Sequence, residues 1–332
     1  MKKILITGGT GFIGSHLAEF FAKKKYKVTV FDRYNPNYNL GWLSESEYKK
    51  KIKFIFGDVR DYDSVFNALK KQDIVLHLAA LIGIPYSYIS PLAYIKTNFE
   101  GTYNVLESSK HLKIKKIFIT STSEVYGSAQ YIPMDEKHPL VPQSPYSASK
   151  IAADNLALSY FYSFNLPVNI IRPFNTFGPR QSERAIIPTI INQIINKNKK
   201  KEIDLGNINP TRDFNFIDDI CVGFYKAVIS KLKPGSILNL CTGYDISIKS
   251  VVEIISKSMD SKVKIKITKV RRRPDKSEVQ RLCGSNKKAK NLINWKPVYI
   301  REKGFKNAIS KTINWYKKKK NQRTNLKKDY IV

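Results

Sequence analysis

Ile4 to Gly14 reads I-L-I-T-G-G-T-G-F-I-G, a short apolar run that enters glycines at positions 8, 11 and 14. This order suits a buried strand that ends in a tight turn and opens a helix whose free N–H groups and positive dipole end face an anion. A Cβ at Gly8, Gly11 or Gly14 would meet chain, ligand or strand, so glycine is what lets the backbone come close. The flanks support the reading: Phe12 to Lys23 is a helical stretch, and a second apolar run, Val28 to Phe31, closes with Asp32. Asp32 lies 18 residues beyond Gly14, near the roughly 20 expected for an acid that accepts from the adenosine ribose hydroxyls. The loop predicts a dinucleotide site with Gly8, Gly11, Phe12, Ile13, Gly14 and Asp32 as candidate contacts. Asp32 favours NAD, while Arg33 beside it leaves room for a 2′-phosphate.

Outward from this loop, strand and helix signals alternate, which predicts a doubly wound parallel sheet with helices on both faces. Expected strands are Lys2 to Thr7, Lys27 to Phe31, Ile52 to Phe56, Ile74 to Leu78, Lys115 to Ser121, Val168 to Arg172 and one near Ile237 to Leu240. Long helices are expected over Leu92 to Lys110 and Tyr146 to Ser163, with apolar residues on more than one side. After Arg172 the alternation gives way to Pro- and Gly-punctuated segments. Residues 1–178 and about 214–243 are therefore expected to form a Rossmann-type domain, and about 179–213 and 244–316 a smaller, partly inserted substrate domain. From Lys317 the chain loses its apolar period, and 317–332 is expected to be a frayed basic tail.

A chain of 332 residues needs no disulfide or metal to bury a core. Its three cysteines are far apart and its four histidines lack ligand spacing, so buried thiols in a reducing cytoplasm and no metal are expected. No stretch is long and apolar enough to span a bilayer. The formal net charge of +31 comes from lysines spread over nearly every expected helix. Without a stacking motif or recognition helix, that charge reads as a solvated surface rather than a nucleic-acid interface.

Chemistry concentrates at expected strand ends, where open parallel sheets bind ligands. Asp58 of Gly57-Asp58-Val59 is placed to accept from the adenine amino group, and Ala79 and Ala80 of His77-Leu78-Ala79-Ala80 leave space for the cofactor. Tyr146 and Lys150 in S-P-Y-S-A-S-K follow Pro145, which marks a helix start, and their separation of four puts both on one face. Such a tyrosine can share a proton with substrate while the ammonium stabilises its phenolate. Lowering a phenol from about 10 towards 7 requires roughly 4 kcal/mol, the order supplied by one positive charge at about 4 Å in an effective dielectric of 20. Thr122-Ser123-Glu124, at the end of another strand, can face the same pocket.

Together, T-G-G-T-G-F-I-G, G-D-V, H-L-A-A, S-T-S-E-V-Y-G, Y-S-A-S-K and R-P-F-N-T-F-G-P-R resemble the extended short-chain dehydrogenase/reductase superfamily of nucleotide-sugar epimerases, dehydratases and decarboxylases, from residue 1 to about 316. The resemblance implies that Tyr146 takes the proton of the sugar 4-hydroxyl, that Lys150 is its partner, and that Thr122 or Ser123 bonds the same oxygen. It implies Val59, Leu78, Asn98, Ser121 and Pro173 as further cofactor contacts, with Phe174 also beside the nicotinamide. Asn175, Arg180, Arg212 and Arg273 are implied on the substrate, the last within R-R-R-P-D. A homodimer through the two long helices is implied as well.

Glu124 is placed to remove the carbon-5 proton of a 4-keto sugar and to expel the 6-hydroxyl as water. Where dTDP-glucose dehydratases carry Asp-Glu, this chain carries Ser123-Glu124, a pair also found in UDP-glucuronate decarboxylases, and serine is a poor general acid. L-I-G-I-P-Y-S-Y at Leu81 to Tyr88 and the stretches around Glu124, Lys150 and Arg180 resemble most the NDP-N-acetylglucosamine 4,6-dehydratases of legionaminic acid biosynthesis, with GDP or UDP as carrier. A 4-epimerase, a decarboxylase and a non-catalytic NAD sensor remain as alternatives.

Overall fold

The computed structural model describes residues 1–196 and 202–320. The first half runs β1 (Lys3–Thr7), α1 (Phe12–Lys23), β2 (Lys27–Arg33), β3 (Ile52–Gly57), α2 (Tyr62–Leu69), β4 (Ile74–His77), α3 (Ile84–Ile89), α4 (Pro91–Tyr94), α5 (Gly101–His111), β5 (Lys116–Thr120), α6 (Pro145–Phe164) and β6 (Val168–Pro173). Then come β7 (Asn175–Phe177), α7 (Ile186–Ile195), β8 (Glu202–Leu205), β9 (Thr211–Phe216), α8 (Ile217–Ile229), β10 (Ile237–Leu240), β11 (Asp245–Ser247), α9 (Ile248–Ser258), β12 (Lys264–Ile267), α10 (Lys287–Ile293) and α11 (Arg301–Lys320).

Seven parallel strands form the main sheet in the order β10-β6-β5-β4-β1-β2-β3. This is a Rossmann-type doubly wound fold. Strand order reverses between β1 and β4, so a crevice opens above their carboxyl ends. Alternation along β1 fills both faces: Ile4 and Ile6 pack with α1 and the later helices, while Leu5 packs with the α2, α5 and α6 layer.

Local signals set the helices that matter for the site. Ser144 caps α6 by accepting from Ser147 N, Pro145 stands in its first turn, and Asn165 ends it in the left-handed region. The helix expected over Leu92 to Lys110 is instead α4, a π turn at Ile95–Glu100, and α5. The wider turn sends Asn98 inward, where its side chain is wholly buried.

Outside the main sheet, β11, β9 and β7 form one small sheet and β12 and β8 another. Asp213 on β9 is fully buried and accepts from Thr242 N, Thr242 Oγ1, Gly243 N and Gly284 N, which fixes the chain around Arg212. Helix α11 closes the molecule. The expected fraying from Lys317 does not occur through Lys320: Trp315 stacks edge-on against Trp42 at 5.3 Å, Tyr316 Oη donates to Gln181 O, and Lys319 pairs with Glu45 at 3.1 Å. Residues 321–332 of the expected tail lie outside the described residues. Among the described residues, no helix is long and apolar enough to cross a membrane.

Candidate active site

The first pole of the site is built from backbone. Gly8 has φ +67°, and a Cβ there would stand 2.9 Å from Ala79 N, across the reversal of strand order. A Cβ on Gly14 would lie 2.2 Å from Gly8 O, so α1 seats on the loop only with glycine at that position. At Gly11 the nearest atom would be 3.3 Å away, leaving the α1 N-terminus, with the N–H groups of Phe12 and Ile13, open to an anion. This cradle fits a dinucleotide pyrophosphate. Asp32 Oδ2 accepts from Thr10 N at 2.9 Å and Thr10 Oγ1 at 2.6 Å, and Oδ1 accepts from Arg33 N. The acid thus ties the loop to β2. Asp58, at the end of β3, is held by Arg60, whose hydrogen bonds keep its carboxyl below the usual range.

The cradle is joined to the second pole by a chain of polar contacts that sequence reasoning missed. Thr7 Oγ1 accepts from Leu78 N and Ala79 N, both at 3.0 Å, so its proton goes to His77 Nδ1 at 2.8 Å. His77 Nε2 then donates to Thr102 Oγ1, which donates to Asn98 O. Burial, with Lys150 nearby, lowers His77 to about 3, so the ring is neutral. Asn98 spends its amide on Leu81 N, Leu81 O and Ser149 Oγ, and Ser149 donates to Tyr146 O. Asn98 is therefore a frame residue that ties Leu81 to α6, its side chain turned into the protein by the π turn. Val59, also expected at the cofactor, packs beneath Gly101 and is 8% exposed.

At the second pole, Tyr146 and Lys150 lie on one face of α6 and are both buried. Burial pushes the Tyr146 phenol well up, a Thr122 hydrogen bond pulls it down, and Glu124, Tyr94 and Asp154 raise it further. Lys150 Nζ donates to Thr120 O at 2.7 Å; burial lowers its pKa and Asp154 opposes the change. Thr122 Oγ1 accepts from Glu124 N, and Ser147 Oγ donates to Glu124 O at 2.7 Å, which locks the Ser123–Tyr126 turn onto α6. The Glu124 carboxylate lies 3.6 Å from Arg273 Nη1. Arg212 pairs with Glu278 at 3.1 Å and lies in the field of both Glu124 and Arg273. Asn175 Oδ1 is buried without a partner among the described residues.

Two expected contacts fall elsewhere. Arg180 has φ +70° and turns onto α1, where it pairs with Glu19 at 3.0 Å and donates to Ser15 Oγ. It fastens the segment after β7 to the first helix. Phe174 is 1% exposed and packs with Val125, Tyr126, Met134 and Cys241, so it supports the Ser123–Tyr126 turn from behind while Pro173 ends β6. A further buried group was also missed: Asp154, Ser121, Arg172 and Tyr126 form one connected polar set behind Lys150. The spacing of four from Lys150 to Asp154, and an arginine in the apolar strand V-N-I-I-R-P, were the available signals.

A glycine cradle and a tyrosine–lysine pair facing each other across a sheet crevice define an extended short-chain dehydrogenase/reductase. More narrowly, the chain belongs to the family described as GDP-mannose 4,6 dehydratase, whose model matches residues 5–308. It is 39% identical over 262 residues to a dTDP-D-glucose 4,6-dehydratase of Dictyostelium discoideum, across 74% of this chain and 60% of that protein. It is 32% identical over 320 residues to a putative UDP-glucose 4-epimerase of Methanocaldococcus jannaschii, across 95% and 98% of the two. Among solved structures, DesIV, a dTDP-glucose 4,6-dehydratase of Streptomyces venezuelae with NAD and TYD bound, matches with TM-score 0.86 at 25% identity, over 97% of this chain and 99% of that one.

Proposed function

We propose that the chain is an NAD-dependent nucleotide-sugar 4,6-dehydratase acting on an N-acetylglucosamine carried by GDP or UDP. The observation that carries this reading is Glu124: a carboxylate only 8% exposed, within the field of Tyr146 and covered by Arg273. A reaction confined to carbon 4 needs no such group.

Arg212, Arg273 and Asn175 hold the diphosphate, and the sugar lies between them and Tyr146. Tyr146 takes the proton of the 4-hydroxyl, Thr122 bonds the same oxygen, and the Lys150 ammonium stabilises the phenolate. The glycine cradle at Gly8, Gly11 and Gly14 would hold NAD, which would supply the reversible hydride chemistry that oxidation at carbon 4 and reduction at carbon 6 require. Glu124 removes the acidified proton of carbon 5 and delivers it to oxygen 6, which leaves as water, and a solvent proton completes carbon 5. Exposed Tyr86, Ile89, Leu92 and Ile95 on the α3–α5 stretch, with Tyr162 and Phe164 on α6, support a homodimer through these helices.

Ser123 supports a second reading, a 4-epimerase, because it puts a hydroxyl where a general acid would assist the departing oxygen. Mass spectrometry of the protein with GDP- and UDP-N-acetylglucosamine in deuterium oxide separates the two. Dehydration removes the mass of one water and adds one deuterium at carbon 5. Unchanged mass with a galacto-configured product establishes epimerisation and ends the dehydratase reading.

A further inference from the structure

Asp154 is 1% exposed and sits on α6 one turn beyond Lys150 and two beyond Tyr146. One of its oxygens, Oδ2, takes three donors: Ser121 Oγ at 2.7 Å, Arg172 Nε at 3.0 Å and Arg172 Nη2 at 2.9 Å. The other, Oδ1, is buried and has no partner among the described residues. Arg172 is 2% exposed, donates to Tyr126 Oη at 2.9 Å and lies over that ring. The pair is thus sealed inside the protein, directly behind the residues that face the pocket.

A buried ion pair is weak as a stabilising device, because desolvation of both charges offsets their attraction. Apolar residues of similar volume would serve packing as well. An acid kept here with an unoccupied oxygen needs another reason, and the nearest charge along its own helix face supplies one.

We propose that Asp154 is a positioning residue of the active site: it anchors the Ser121 end of β5 through Oδ2 and, buried one helical turn from Lys150, supplies the negative charge that favours the Lys150 ammonium. The proposal rests on the reading of Tyr146 and Lys150 as the catalytic pair. Lys150 has Tyr146 and Asp154 on its own helix, neutral His77 from β4, the Thr120 carbonyl from β5, and Arg172 from β6 behind Asp154. Tyr146 has Glu124 and Thr122 from the turn after β5 and Tyr94 from α4. Among these, Asp154 is the group that holds the Lys150 pKa up against burial, and it also raises Tyr146.

The test is Asp154→Asn, with Asp154→Asn/Arg172→Met as the variant that removes both buried charges and spares the fold an unpaired guanidinium. The first readout is the pKa of Lys150 from the 13Cε resonance of labelled lysine, assigned by its loss in Lys150→Met. The expected result is a fall of about one unit in Asp154→Asn, and in the pH profile of kcat a shift of both limbs to lower pH. In the double variant the resonance is expected to stay below the wild-type value. A Lys150 pKa within error of wild type in both variants overturns the proposal, as does recovery of the wild-type value in the double variant. Because the resonance is read without substrate, failure of the dehydratase reading leaves this outcome intact, and the reverse also holds.

Discussion

The cradle at Gly8–Gly14 and the pole around Tyr146 are joined by one chain of polar contacts and built by opposite means. The cradle presents backbone N–H groups, and its glycines work by lacking atoms: a Cβ on Gly14 would come within 2.2 Å of Gly8 O. The second pole presents side chains brought from the turn after β5, from β7, β9 and α6, and from the segment around Arg273. The first is a contiguous motif fixed by sterics. The second is a constellation fixed by packing, and its titration depends on burial. Substitutions should therefore fail differently at the two poles.

The largest effect is expected from Tyr146→Phe, which removes the proton-transferring oxygen and leaves the ring in place. Turnover should fall by about a thousandfold, with dinucleotide affinity by fluorescence titration within a factor of two of wild type. Loss of affinity as large as the loss of rate would break the separation of the poles.

Gly14→Ala acts on the other side. The added methyl meets backbone on Gly8 and Gly9, so the loop must move, at a cost of about 3 kcal/mol in urea denaturation. Dinucleotide binding should weaken with it. A variant that keeps both stability and affinity would show that the close seat of α1 is dispensable.

His77, in the chain of contacts that joins the poles, sets a pH dependence. Its folded pKa of about 3 lies below the unfolded 6.5, so the unfolded chain binds the proton first. Stability is full above pH 6.5 and is lost as pH falls through that value towards 3. By pH 5 the loss is about 2 kcal/mol, read as the change in urea midpoint between pH 7 and 5. His77→Asn should lower stability at pH 7 yet flatten this slope, and an unchanged slope would remove His77 as its source.

Arg180→Ala should do least. Losing the pair with Glu19 costs about 1 kcal/mol, with KM for the nucleotide sugar unchanged, whereas Arg212→Ala should raise KM. Equal KM effects would return Arg180 to the diphosphate group.

The same contrast explains what could be read before the fold. The glycine spacing, Asp32 and the Tyr146–Lys150 separation are local, so residues in sequence stand in for geometry. The parallel sheet was legible for a related reason, since strands covered on both faces read as continuous apolar runs. The partners of Arg180 and Phe174 were not legible because nothing in R-P-F-N-T-F-G-P-R marks the positive φ at Arg180 or the packing of Phe174 on Val125, Tyr126 and Met134. The inward turn of Asn98 was not legible because a π turn looks like α-helix in an apolar pattern. The link from Thr7 through His77 to Tyr146 joins contacts 70, 25 and 51 residues apart, which periodicity does not reach.

The closing helix α11 has a consequence for synthesis. Trp315 rests on Trp42, Tyr316 reaches Gln181, and Lys319 reaches Glu45. An emerging chain can form β1, α1 and β2 early, since domains begin to fold from the N-terminus during translation. The shoulder behind Thr10 and Trp42 is supplied only when residues 301–320 leave the ribosome tunnel. Nascent protein therefore lacks the contacts on Trp42, Glu45 and Gln181 until α11 arrives, so the flank of the glycine loop is finished by residues made about 300 positions after it.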